Sequence, residues 1–306
     1  MTPHLATVGL ILGIAAALGA AAETPPAQVF FQAHRGGLLE VPENTLAALR
    51  HAWACPGAVP EVDLRTTKDG VLICLHDDTA GRTLESPETF ADTDVADLTF
   101  DQLREWDAGV KFDPRYAGER VPSLDEVFEA MKEDAQRQIY LDLKGADLER
   151  LAALIERYGL VDRVIFVHGK QPTCMALKKR FEGARTMTWL SGVPFLIKRR
   201  FEDMAKDGFR GIDQIQFHLE AKKSEGAIEY IFDEDYLRYA FEKAKAAGVE
   251  LQLRPFRFDA ASLRPLLEIG VRWFVADEPR RFSQAVAEAM NPARPAAPQE
   301  ESSHGH

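Results

Sequence analysis

The stretch VPEVDLRTTKDGVLICLHDD, residues 59–78, decides the architecture. Its first part, 59–64, alternates apolar and acidic residues with the period of a strand, and Lys68-Asp69-Gly70 then reads as a turn. The apolar run 71–75 follows too closely for a crossover helix, so it returns antiparallel as a hairpin. Taking Asp69-Gly70 as a two-residue loop sets Lys68 opposite Val71, and the same register sets His76 opposite Asp63. The run 71–76 is therefore an excursion from the strand that carries Glu61 and Asp63, and it is not counted among the strands that alternate with helices.

Working outward, short apolar runs at 29–33, 59–64, 138–143, 163–167, 185–190, 212–217, 249–253 and 271–276 alternate with amphipathic stretches. Those stretches lie at 44–54, 123–134, 147–158, 171–181, 194–207, 233–247, 260–269 and 279–289. Ser123 with Glu126 three residues on makes a capping box, and Gly159, Gly248 and Gly270 stand where helices end. The expected fold is α/β, a (β/α)8 TIM barrel with a β-hairpin excursion and a small insertion after strand two. The insertion spans about 77–122; it is polar, holds one short helix near 100–106, and reads either as a functional loop at the barrel mouth or as a passive surface loop.

Both ends read as something other than fold. Residues 1–22 carry no Lys, Arg, Asp or Glu; Val8 to Leu18 is nearly all apolar, and Ala20-Ala21-Ala22 offers a cleavage site. This is the pattern of a signal peptide, which makes the protein exported, periplasmic or extracellular, with no stable membrane span after cleavage. The segment 291–306, NPARPAAPQEESSHGH, has nothing to bury and reads as a disordered tail. One domain, 23–290, remains. The net charge of −11 argues against nucleic acid and anionic membranes as partners. An acidic chain still binds a phosphodiester if it recruits a divalent cation. Cys55, Cys74 and Cys174 are too few and too scattered for a disulfide framework; a single Cys55–Cys174 bridge stays open.

The chemistry gathers at strand ends. Glu61 and Asp63, at i and i+2, aim both carboxylates to one side, and Asp142 at the end of the next barrel strand adds a third. Carboxylates converging this way repel unless a hard divalent ion sits among them; a salt-bridge network is the alternative. His34 follows strand one and His76 follows the hairpin. Imidazole titrates near neutrality and serves as either base or acid at phosphorus. Arg35 and Lys144 are placed to meet phosphate oxygens or to pair with the nearby acids.

The ordered series His34-Arg35-Gly36, Pro42-Glu43-Asn44-Thr45, Glu61-x-Asp63, Thr67-Lys68-Asp69-Gly70, His76-Asp77 and Arg82-Thr83 resembles the glycerophosphodiester phosphodiesterase family. The likeness continues through PSLDEV at 122–127 and LDLKG at 141–145, with a looser echo, VADEP, at 275–279. The resemblance implies that His34 and His76 are an acid–base pair and that Glu61, Asp63 and Asp142 hold one divalent cation, Ca2+ or Mg2+. It implies that Arg35 and Lys144 bind phosphate, and that a cyclic phosphate forms before water opens it. Asn44 would orient the loop of His34, and Glu43 would do the same or cap the helix. Two departures stand out: Asp142 where the family commonly has Glu, and Gln252-Leu253-Arg254-Pro255-Phe256 where it usually has a Trp-Thr motif. Arg254 is then either a phosphate or head-group contact or a surface charge.

The reading with most support is hydrolysis of a glycerophosphodiester to glycerol 3-phosphate and an alcohol. A related barrel phospholipase acting on lysophospholipid or phospholipid head groups is the alternative, and exposed apolar residues on 77–122 would favour it. A secreted binder that captures phosphodiesters without cutting them is the alternative of another class, though a binder has no need of a proton-transfer pair. The substrate is a small-molecule or lipid-derived phosphodiester in the first two readings, and the oligomeric state is left open.

Overall fold

The computed structural model describes residues 28–223 and 226–291. The leader expected at 1–22, and the tail expected at 291–306 apart from Asn291, lie outside the described residues. Strand β1 (Phe30–Ala33) leads to α1 (Leu46–Trp53), β2 (Ala58–Thr66) and β3 (Leu72–Cys74). The insertion contributes α2 (Phe100–Glu105) and ends at α3 (Leu124–Lys132). Alternation then resumes with β4 (Ile139–Gly145), α4 (Leu148–Tyr158), β5 (Val164–Val167), α5 (Gln171–Arg180), β6 (Arg185–Leu190) and α6 (Pro194–Lys206). It finishes with β7 (Gln214–Leu219), α7 (Glu234–Ala246), β8 (Glu250–Pro255), α8 (Ala260–Ile269), β9 (Trp273–Ala276) and α9 (Pro279–Met290).

Strand β1 pairs in parallel with both β2 and β9, which closes eight parallel strands into a (β/α)8 barrel. Strand β3 lies outside the cylinder, antiparallel on β2. The expected excursion is present, but its register is not the one read from the sequence. Leu64 pairs with Cys74 and Arg65 with Ile73, so the turn holds three residues, not two. Thr67 N–H donates to Val71 O at 2.9 Å, and Gly70 takes a left-handed φ of 82° that the third turn residue requires. The expected pairing of His76 with Asp63 is corrected: Leu75 N–H donates to Asp63 O at 2.9 Å, and His76 falls one residue further on.

Period-two alternation sorts each strand. Val62 and Leu64 point outward and join Leu49, Leu124, Val127 and Leu141 in a buried layer under the helices. Burying each of these two side chains contributes about 1.5–3 kcal/mol. Inside the cylinder Val59, Tyr140, Ile165, Val167 and Met187 form a smaller cluster, joined by Trp189 and Trp273. Tyr140 Oη donates to Gln214 Oε1 at 2.8 Å, and Gln216 Nε2 donates to Gln252 Oε1 at 3.2 Å, so the lumen carries a polar layer too. Helix α3 starts on the expected capping box, with Ser123 and Glu126 reciprocally bonded, worth about 1 kcal/mol.

The insertion is less loose than its polar sequence suggests. Leu84, Val95, Leu98, Leu103, Trp106 and Val121 pack on Ile73 and Leu75 of the hairpin as a satellite core. Cys55, Cys74 and Cys174 are all free and buried, so no Cys55–Cys174 bridge exists. Among the described residues no helix is long and apolar enough to cross a membrane.

Candidate active site

The lumen-facing positions, followed to the C-terminal ends of the strands, deliver the polar groups. Asp63 on β2 stands beside Asp142 on β4 in the parallel register, and Glu61 stands one step below, beside Tyr140. Glu61, Asp63 and Asp142 each offer an oxygen, and these three oxygens lie within 4.8 Å of one another. Burial pushes Glu61 well above the usual carboxylate range, and the charges of Asp63 and Asp142 add to that. Asp142 is raised for the same reasons, against the pull of Lys144.

Two cations lean on this cluster from the sides. Lys144 Nζ is 2.7 Å from Asp142 Oδ2 and 3.5 Å from Asp63 Oδ1. Arg35 Nε is 3.6 Å from Asp63 Oδ2, and Arg35 N–H donates to Glu61 Oε2 at 2.6 Å. Arg35 itself sits at a left-handed φ of 53°, the bend that turns its amide toward Glu61 while its side chain reaches Asp63.

Asn44 and Glu43 take up definite positions. Asn44 Nδ2 donates to Asp63 Oδ2, its Oδ1 accepts from Asp63 N–H, and its own N–H donates to Arg35 O. It therefore ties the loop after His34 to the carboxylate centre. Glu43 does not cap α1; the Thr45 side chain does, accepting from Ala48 N–H. Glu43 instead accepts from Arg35 Nη1 at 2.9 Å and from both terminal nitrogens of Arg82 at 2.8 Å. Arg82 also pairs with Asp77, so one residue of the insertion links the two halves of the rim.

Each histidine is held by an aspartate. His34 Nδ1 lies 2.7 Å from Asp277 Oδ1, and His76 Nδ1 lies 2.7 Å from Asp77 Oδ1. A carboxylate at Nδ1 fixes the proton there and leaves Nε2 with its lone pair. Among the described residues neither Nε2 has a hydrogen-bond partner, so both are free for chemistry. The environments differ: 14% of the His34 side chain is exposed against 32% for His76. Burial lowers the His34 pKa below its ordinary value, the bond to Asp277 resists, and the charges of Arg254 and Arg35 lower it further. Burial favours neutral Asp77, but Arg82 and His76 prevail and hold its carboxyl down at about 2.

Arg254 is not the surface charge that was one of the two alternatives. It is largely buried and donates from Nη2 to Asp277 Oδ1 at 2.9 Å, with Phe256 beneath its guanidinium. Sequence reasoning also passed over Asp277 as a functional group, although VADEP had been noticed, and over Asp77 and Arg82. It missed His168, Trp189 and His218, which continue the rim from β5 to β7. Trp189 stacks on His218, and burial, with Arg254 and His34 nearby, pushes His218 down to about 4. The signal that would have found them is the i+2 step beyond a lumen residue: Gln216 to His218, Gln252 to Arg254, Val275 to Asp277.

The fold and this arrangement define a barrel protein whose rim, at the C-terminal ends of the strands, joins a carboxylate cluster to two aspartate-held imidazoles. The pattern of the glycerophosphoryl diester phosphodiesterase family matches residues 34–166, the span that supplies both histidines and all three acids. Over that span the chain is similar to that family. A glycerophosphodiester phosphodiesterase of Caldanaerobacter subterraneus is 38% identical over 139 residues, covering 44% of this chain and 55% of the relative. Mouse glycerophosphodiester phosphodiesterase 1 is 37% identical over 124 residues, 39% of this chain and 35% of the relative. The chain thus aligns with about half the length of these curated relatives, or less. The crystal structure of the Agrobacterium tumefaciens glycerophosphodiester phosphodiesterase superposes with a TM-score of 0.66 at 25% identity, covering 84% of this chain and 99% of that one. An Oleispira antarctica phosphodiesterase, solved in complex with the product sn-glycerol-3-phosphate, shares the fold at TM-score 0.62 and 22% identity, covering 84% of this chain and 96% of that one.

Proposed function

We propose that the protein is an exported, metal-dependent phosphodiesterase that hydrolyses glycerophosphodiesters to glycerol 3-phosphate and an alcohol. The observation that carries this reading is the pair of aspartate-held imidazoles around a buried carboxylate triad. The export part rests on the apolar leader at 1–22.

The residues fit a divalent cation. Among the described residues Asp63 Oδ1 is buried with no hydrogen-bond partner, and the three crowded acids have only Lys144 and Arg35 paired with them, which leaves them short of positive charge. Glu61, Asp63 and Asp142 would hold the ion as oxygen ligands, and a hard cation such as Ca2+ or Mg2+ suits them. When bound, it would offset charge on the phosphoryl oxygens.

The chain's own groups do the rest. Arg35 and Lys144 bind the remaining phosphate oxygens. His34, the more buried imidazole and one held below its ordinary basicity chiefly by burial, takes the proton from the substrate hydroxyl next to the phosphoester as that oxygen attacks phosphorus. His76, the more exposed, enters this step protonated at both ring nitrogens and gives its Nε2 proton to the departing alkoxide, keeping the Nδ1 proton toward Asp77. Water then opens the cyclic phosphate with the two roles exchanged. Asp277 and Asp77 keep each ring in the tautomer that presents Nε2.

Phosphorus NMR on glycerophosphodiesters bearing choline, ethanolamine or glycerol tests this directly. Appearance of glycerol 3-phosphate, abolished by a chelator and by either His34→Ala or His76→Ala, is the expected result. Intact ligand released slowly by the wild type would make the protein a binder.

A second reading has an observation in its favour. Val193, Phe195 and Leu196 after β6, Ile231 after β7, Phe256 after β8 and Leu39 after β1 expose large apolar surface on the catalytic face, Phe195 at 70%. Such a rim suits a substrate that keeps an acyl chain, as a lysophospholipid does. Within 77–122, where apolar exposure was looked for from the sequence, only Phe112 among the described residues is an exposed large hydrophobic. Turnover of lysophospholipid that falls in a Phe195→Ser, Leu196→Ser double variant, with water-soluble diesters unaffected, would favour it.

A further inference from the structure

We propose that Arg254 acts through His34 as a positioning residue, anchoring Asp277 and offsetting its charge, and that it does not bind substrate. The inference rests on the catalytic reading of His34 given above.

Three atoms make the case. His34 Nδ1 and Arg254 Nη2 both approach Asp277 Oδ1, at 2.7 and 2.9 Å, and the two nitrogens are 2.9 Å apart. A guanidinium nitrogen only donates. Were Nδ1 bare, it would face the carboxylate oxygen at 2.7 Å as one acceptor against another. Nδ1 therefore carries the proton, and both nitrogens donate to the same oxygen. The Arg254 guanidinium is pinned there by burial and by the Phe256 ring 4.9 Å below its carbon. Its Nη2 is directed to the His34–Asp277 unit.

The consequence is electrostatic. Asp277 favours an imidazolium on His34 and so works against the effect of burial. Arg254 beside it cancels much of that attraction. The other charged or titratable groups acting on His34 are Arg35, next in sequence, and His218 on β7; Arg35 also opposes a second positive charge. His34 thus keeps the orientation that Asp277 provides without the full rise in basicity that a lone carboxylate imposes. The Trp-Thr motif that this chain lacks at the end of β8 has its place taken by this device.

The test uses the full chain with Arg254→Gln and Arg254→Lys, reading the His34 imidazole titration by NMR, its signal assigned by loss in His34→Ala. The same variants are followed by the pH profile of kcat/KM. Arg254→Gln is expected to raise the His34 midpoint by about one pH unit. The acid limb of the profile should move with it, and KM at the optimum should change by no more than about twofold. Arg254→Lys keeps the charge and should stay within about 0.3 of a unit of the wild type. An unmoved His34 midpoint in folded Arg254→Gln overturns the proposal. So does a KM raised about tenfold or more with the acid limb in place, which would make Arg254 a phosphate contact. If Arg254→Gln does not fold, a full-unit shift in Arg254→Lys overturns it as well. The NMR midpoint is read without substrate, so a failure to turn over any phosphodiester would sink the proposed activity and leave this result standing.

Discussion

Asn44 and Asp63 hold each other by two hydrogen bonds of 2.9 Å, side-chain amide to carboxylate and backbone N–H back to the amide oxygen. Both residues are buried, and Asn44 sits at a left-handed φ of 59°, a conformation that asparagine tolerates better than most residues. Asn44→Ala removes both partners and adds backbone strain. It is expected to cost about 2–4 kcal/mol, made up of an unsatisfied buried donor and acceptor and the misplaced φ. Asn44→Gly relieves only the strain, so its recovery should be partial in denaturant unfolding. An Asn44→Ala variant as stable as the wild type would mean that Asp63 finds another partner.

Cation binding at the triad should appear as stability. A ligand that binds only the folded state at about a hundred times its Kd adds roughly 2.7 kcal/mol, which for a chain of this size raises Tm by about 5–10 °C. Thermal melts with Ca2+ and with Mg2+ are expected to show such a rise in the wild type. Asp63→Asn and Glu61→Gln should show none. Those variants are expected to be no less stable than the wild type in chelator, because each relieves the repulsion that pushes Glu61 upward. A Tm that ignores both cations would leave the triad a plain polar network.

Much of this was legible in the sequence, for a physical reason. The i, i+2 spacing of Glu61 and Asp63, and of Asp142 and Lys144, survives folding because the side-chain period of a strand is two, and the parallel register then brings Asp63 beside Asp142. Strand and helix alternation was equally readable, with β7 and β9 each starting two residues later than their apolar runs. What failed was the hairpin. Gly70 at positive φ adds a residue to the loop, and a one-residue slip moves every partner, including the one assigned to His76. Asp277 and His218 were overlooked, and the partner of Arg254 was not readable, because their meaning lies in closure of the barrel. Residues more than two hundred positions apart, His34 and Arg254, touch only because β1 pairs with β9 and β9 with β8.

The pH dependence follows from His34. Burial chiefly, then Arg254 and Arg35, hold its pKa below 6.5 despite Asp277, so the neutral base persists to lower pH than a free imidazole. The acid limb of kcat/KM is therefore expected to have its midpoint below 6.5. Stability carries the same sign: as pH falls below 6.5 the unfolded chain takes up a proton that folded His34 resists, so this group's contribution declines toward its lowered pKa. Asp277→Asn removes the partner that raises the pKa and fixes the tautomer. Its limb should move further to the acid side, with kcat down by about 10²–10⁴. A limb centred above 7 would assign the profile to another group.

The third residue of His34-Arg35-Gly36 is the most sharply constrained by shape. Gly36 takes φ of 80°, and a Cβ there would meet the Ala48 Cβ at 2.6 Å and the Ala48 carbonyl carbon at 2.9 Å. Those atoms belong to α1, so neither can swing aside as the end of a long side chain would. Gly36→Ala must push the turn off the helix, and the turn carries His34 on one side and the Arg35 amide that donates to Glu61 on the other. The expected cost is about 2–4 kcal/mol from positive φ and overpacking together. Activity should fall further than stability predicts, because displacing His34 by even about 1 Å costs on the order of 10²-fold in rate. Gly70→Ala is the control. It carries a similar φ, 82°, but the atoms nearest its Cβ would be those of the movable Arg150 guanidinium. It is expected to lower Tm while leaving kcat unchanged. Equal losses of activity in the two variants, at matched stability, would show that the turn after β1 has no special hold on the His34 imidazole.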